Sequence, residues 1–170
     1  MNRILLAGVG FFLALMWTIA PRDLHGQDKQ QPKVAAIQVL QIESDEVKLP
    51  AEFRDSLYEN LINQLQAGGA FQHVYRDGDR NAQGAGDIVI IHSWVRGFKQ
   101  GSERARQVTT VAGATSIKIH CNFTDRNGKS LLDQDIQGNV RFFGGNLRAT
   151  YDFAKNVAKV ARDNFSLKAH

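Results

Sequence analysis

The stretch from Asp87 to Phe143 constrains this chain most. Ile88 to Lys99 is a strand-like run, and a polar Gly/Arg connection leads from it into a hairpin. The hairpin strands are Ser116 to Thr124 and Leu131 to Phe143, joined by Asp125-Arg-Asn-Gly128. Ile117, Ile119, Cys121 and Phe123 alternate with Lys118, His120, Asn122 and Thr124, the period of a strand with one covered face. Asn127-Gly128 between two such runs is a strong turn signal, because both residues tolerate positive φ. The parity turns the Ile/Cys/Phe set inward and leaves His92 and His120 on outward positions.

The flanking segments supply what such a sheet needs as neighbours and cover. Val34 to Ile42 is almost continuously apolar and β-branched, which predicts a strand buried on both faces. Glu43 to Lys48 is acidic and loop-like. Pro50 suits a first helical turn, with Glu52 and Asp55 near the positive end of the helix dipole. Phe53, Leu57, Leu61 and Leu65, joined by Tyr58 and Ile62, form a helical stripe that Gly68-Gly69 ends. Phe71 to Arg76 is a short strand, and Asp77 to Gly86 a turn-rich loop. After Gly144-Gly145, the residues Leu147, Tyr151, Ala154, Ala158, Ala161 and Phe165 recur at helical spacing. The resulting order is β-α-β-β-β-β-α. It predicts an α+β fold: a mixed, mainly antiparallel sheet of about five strands with two helices packed on one face.

Residues 1–26 have a secretory layout. Arg3 is followed by a charge-free run from Ile4 to Ala20, then Pro21-Arg22-Asp23, with a small residue at Gly26. A retained signal anchor is the alternative, since the run is only slightly short of a membrane span. Residues 27–33 form a polar linker and residues 34–170 a single domain, long enough to bury a core without metal or disulfide support. Both readings export the domain, to the periplasm or beyond. Net charge is +4 over the whole chain, too small a bias to be a nucleic-acid footprint. The one cysteine, Cys121, lies on the inward parity and is expected to be a small buried hydrophobe.

Few residues carry candidate chemistry. Arg104 and Arg106, beside a small-residue loop, are candidates for binding an anion or a partner. His92 and His120 fall on adjacent strands, and with nearby aspartates they are the raw material of a metal-dependent hydrolase. A zinc site needs a third ligand and a second shell, which His73 or Cys121 supply only if the parities are wrong. Asp125, Asp133 and Asp135 flank the hairpin, where solvated turn chemistry accounts for them. No G-x-S-x-G, H-E-x-x-H, C-x-x-C, P-loop or dinucleotide fingerprint occurs. No catalytic residue and no metal ligand is therefore assigned, and no cofactor is expected.

The order of motifs resembles a bacterial envelope family catalogued as domain of unknown function 4410. The resemblance covers roughly Val34 to Phe165. It rests on Gly-Gly-Ala-Phe71-Gln-His-Val74 after a helix, Ala85-Gly-Asp-Ile-Val-Ile90, Val95-Arg-Gly-Phe98, the loop at Gly101 to Arg106, Ala112-Gly-Ala114, and Phe123-Thr-Asp-Arg-Asn-Gly-Lys129. It implies an exported α+β domain without assigned catalytic residues. This chain lacks a lipobox cysteine.

Sequence and resemblance together point to a non-enzymatic binding or accessory domain of the envelope. Its expected partners are another envelope protein or an anionic surface, with no nucleic acid, and membrane contact only through residues 4–20 if uncleaved. Intact-mass measurement of protein from a periplasmic fraction is expected to show a chain starting near Gln27. A full-length chain in the membrane fraction would instead identify a signal anchor.

Overall fold

The computed structural model describes residues 33–102, 104–105, 113–140 and 145–167. Alternation builds the sheet. The strands β1 (Ala36–Glu43), β2 (His73–Tyr75), β3 (Ile88–Lys99), β4 (Thr115–Thr124) and β5 (Ser130–Val140) lie in the order β2-β1-β3-β4-β5. β1 runs parallel to both β2 and β3, while β3, β4 and β5 form an antiparallel meander. The expected α+β order is therefore observed.

Two helices cover one face. On α1 (Ala51–Ala67), Phe53, Leu57, Leu61, Ile62 and Leu65 are buried. On the long C-terminal helix (Arg148–Phe165), Ala149, Phe153, Ala154, Val157, Ala161 and Phe165 are buried. They meet Val89, Ile91 and Val95 of β3 and Ile117, Ile119, Cys121 and Phe123 of β4, all buried. The rings of Phe123 and Phe165 lie 5.4 Å apart. The parity read from the sequence for β4 is the one observed.

Several local expectations are corrected. β1 is covered mainly on one side: Ile37 and Val39 are buried, whereas Gln38 and Leu40 are only half-buried. With both long helices on one face, the other is covered, among the described residues, where a short helix, α2 (Asn81–Gly84), packs Ala82 near Ala36 and Ile88. The segment read as a loop from Asp77 to Gly86 thus contains α2, and Glu43, read as loop, is the last residue of β1. Val34 lies outside β1 and bridges to Ser166. On the C-terminal helix, α3, the expected Ala154, Ala161 and Phe165 are buried, whereas Leu147 and Tyr151 are exposed and Ala149 and Phe153 take the inward positions. The cause is its close approach to β5: a Cβ on Gly138 would lie 2.1 Å from the Ala149 carbonyl oxygen. That contact turns Ala149 and Phe153, rather than Tyr151, to the sheet.

The hairpin turn also differs from the tight two-residue form. Asp125 N–H donates to the Lys129 carbonyl (3.0 Å) and Gly128 N–H to the Asp125 carbonyl (3.1 Å). Gly128 takes the left-handed position with φ 78°. The loop therefore encloses Arg126 to Gly128, as in a type I turn closed by a glycine bulge, and the ladder shifts register between Phe123 and Thr124. The Asp125 carboxylate accepts from Asn127 N–H (2.8 Å) and Lys129 N–H (2.9 Å), holding the turn from inside. Arg126 points away and donates to the carbonyls of Ala82, Gln83 and Ala85, capping α2. The fifth strand of the expected order ends at Val140 in the described chain; residues 141–143, read as strand, lie outside the described residues.

Phe123→Ala is expected to cost about 3–5 kcal/mol, the range for emptying a buried aromatic site. Lys118→Ala, on the opposite parity, should change stability by about 0.5 kcal/mol or less, as exposed ion-pair changes do. Chemical denaturation of the two variants measures the contrast, and a larger loss for Lys118→Ala would contradict the register.

Candidate functional site

The sheet face away from α1 and α3 carries two adjacent rows of polar and aromatic side chains. The ladder makes Glu43, Trp94, His120 and Asp135 consecutive neighbours across β1, β3, β4 and β5. The next row is His92, Asn122 and Asp133. Because strand side chains alternate, a single parity choice on each strand puts all seven on the same side.

Hydrogen bonds fix the rings of this face. Trp94 Nε1 donates to Glu43 Oε2 at 2.9 Å. His120 Nε2 lies 2.8 Å from Asp133 Oδ1 and His120 Nδ1 lies 3.0 Å from Asp135 Oδ1. The imidazole is thus bracketed by a carboxylate oxygen on each side. Lys118 Nζ meets the other oxygen of Asp135 at 2.7 Å. The Lys118 ammonium first, and His120 second, hold the Asp135 carboxyl below the usual aspartate range. The ring planes of His92 and Trp94 are 14° apart with centroids at 6.1 Å, and His120 tilts against Trp94 at 5.8 Å. The three rings stand side by side, with the His120 side chain 27% exposed and Asp133 50%.

The sequence-based candidates distribute as follows. His92 and His120 do share a face, as their parities required, but the Trp94 indole stands between them. Each nitrogen of His120 already has an aspartate oxygen within 3.0 Å. Among the described residues, no group of three or more His, Cys, Asp and Glu side chains is arranged to hold a metal ion. His73 stacks on Tyr75 on the far edge strand. Asp125 does turn chemistry, whereas Asp133 and Asp135 do not: they sit within β5 and bracket His120. Cys121 faces the core, 3.7 Å from Ser93 Oγ, and burial pushes its thiol up to about 12. At ordinary pH it is a protonated, shielded thiol. Arg104 is exposed, and Arg106 lies outside the described residues. Trp94 and Glu43 went unassigned in the sequence. The signal for Trp94 was its shared parity with His92; for Glu43 there was none, because its place depended on where β1 ends.

Asp135 gives the face a pH signature. Its lowered value means that its contribution to stability is present above the unfolded aspartate value, about 3.9, and is lost as pH falls through the folded value. Below about pH 4, the urea midpoint of the native chain should fall more steeply than that of Asp135→Asn. Parallel slopes would show that the Lys118–Asp135–His120 contacts do not form in solution.

No family model and no curated protein matches the sequence. Solved structures do match the fold. The PelC dodecamer from Paraburkholderia phytofirmans aligns at a TM-score of 0.55 and 15% identity, covering 80% of this chain and 94% of that one. A single-substitution variant of the same protein aligns at 0.57 and 14%, covering 80% and 92%. A hypothetical protein from Chlamydia trachomatis aligns at 0.50 and 10%, covering 76% and 97%. At these identities the likeness is one of fold.

Proposed function

We propose that this chain is an exported, non-enzymatic binding module of the bacterial envelope. Its uncovered sheet face recognises another envelope component. The observation that carries the reading is the pinned row Glu43–Trp94–His120–Asp135. Its rings are fixed at their polar edges before any partner arrives, so little side-chain entropy is left to lose on binding. A tryptophan held at the centre of such a patch is the kind of anchor that dominates protein interfaces. The layout of residues 1–26 supports export. The resemblance of the motif order to the envelope family, domain of unknown function 4410, supports the same location. The use of a similar fold in the PelC dodecamer supports a protein that works by association. The hydrolase reading built on His92 and His120 is disfavoured by the engagement of both His120 nitrogens.

The test is affinity capture from an envelope extract, using the chain from Gln27 and its Trp94→Ala variant in parallel. The native chain should retain a stoichiometric partner that Trp94→Ala loses, with circular dichroism and melting temperature unchanged. A partner retained equally by both would move recognition off this face. Turnover of generic ester or phosphate substrates abolished by His120→Ala would replace the binding module with an enzyme.

A further inference from the structure

β5 is the edge strand of the sheet among the described residues, and the C-terminal half of its outer edge is closed. At its C-terminal half, α3 plugs the backbone. Asp152 Oδ2 accepts from Asn139 N–H at 2.9 Å, and Asn156 Nδ2 donates to the Gln137 carbonyl at 2.8 Å. Gly138, between them, is where the helix comes closest. In an antiparallel strand, alternate residues turn their backbone groups away from the neighbouring strand. Gln137 and Asn139 do so, and therefore Asp135 and Asp133 do too. Among the described residues, no hydrogen bond reaches the outward N–H and C=O groups of Asp133 and Asp135.

Natural proteins commonly guard such an edge with charged side chains standing over it. Here the two carboxylates lean the other way. Asp133 is drawn to His120, and Asp135 to His120 and Lys118, all on β4. That leaves the backbone edge clear, with acidic side chains along its open-face side. Leu132 and Gln134, of opposite parity, are half-buried on the helix side.

We propose that the Asp133–Asp135 edge of β5 receives an extended, basic segment of a partner protein, which adds a sixth strand to the sheet. Main-chain hydrogen bonds supply the attachment. Cationic side chains at every second position meet Asp133 and Asp135, and apolar ones between them meet Leu132. Pairing with β5 of a second copy is disfavoured, because it would set aspartates opposite aspartates. The proposal shares Asp135 with the row around Trp94 and differs from recognition by that face in attaching through backbone groups at the sheet's rim.

The probe is a dye-labelled, end-blocked hexapeptide of alternating Lys and Val, with a Glu/Val peptide as control. Binding to the chain from Gln27 is read by fluorescence anisotropy, and the contact by backbone amide shifts. Saturable binding of the Lys/Val peptide is expected, with shifts at Asp133 and Asp135 and at least about tenfold weaker binding of the control. Asp133→Pro removes an outward N–H without touching the β4–β5 ladder, and should weaken binding at least about tenfold. Asp133→Asn keeps the edge and should retain measurable binding. Asp135→Pro serves if the melting temperature of Asp133→Pro collapses. Equal binding by native and proline variants would mean loose charge attraction, and overturns the proposal. So does absence of binding. If the native chain also sediments as a dimer that Asp133→Pro dissolves, the occupant is a second copy. If binding appears only in a chain starting at Lys33, the edge belongs to the protein's own leading segment. The Trp94→Ala variant should bind the peptide normally, so this result and that of the face are read separately.

Discussion

The contact of α3 with β4 and β5 governs the rest of the architecture. Gly138 lets the helix backbone settle on the sheet at a distance no side chain would allow. That approach fixes the rotation of α3, which delivers Phe153, Val157, Ala161 and Phe165 to the core. Phe165 then meets Phe123, and α1 packs alongside. The same approach brings Asp152 and Asn156 within reach of the β5 backbone. One close crossing thus sets the core, the helix rotation and the state of the sheet edge.

How much of this was legible in the sequence follows from the range of each signal. Alternation in Ile117 to Phe123 is local and strong, and the buried set was read correctly from it. The α1 stripe was equally plain, because six large apolar residues repeat along a helix ended by two glycines. The α3 stripe was read correctly at Ala154, Ala161 and Phe165 and wrongly at Leu147 and Tyr151. Ala149, Thr150 and Phe153 face inward because of Gly138, a residue of another element, and periodicity within the helix cannot carry that information. α2 was missed because a four-residue helix has no period to detect. The C-terminal half of β1 appeared more buried than it is, since an apolar run does not say which faces find cover.

The candidate site was half visible for the same reason. His92 and His120 were placed on one face by parity alone. What joins them to Trp94, Glu43, Asp133 and Asp135 is the cross-strand register, which spans four strands and three separate connections. Asp133 and Asp135 lie close in sequence to a turn, and that proximity suggested solvated loop residues. Register instead sets them on either side of one imidazole. The open face is therefore a property of strand alignment more than of any motif.

The Arg126 clasp has a consequence for cooperativity. α2 spans four residues, far below the length at which a helix holds itself in water. Its terminal carbonyls are satisfied by a guanidinium more than 40 positions later in the chain. α2 therefore draws part of its support from the β4–β5 turn. The Arg126 contacts thereby tie the connection between β2 and β3 to the tip of the hairpin, so that a substitution at Arg126 bears on both segments.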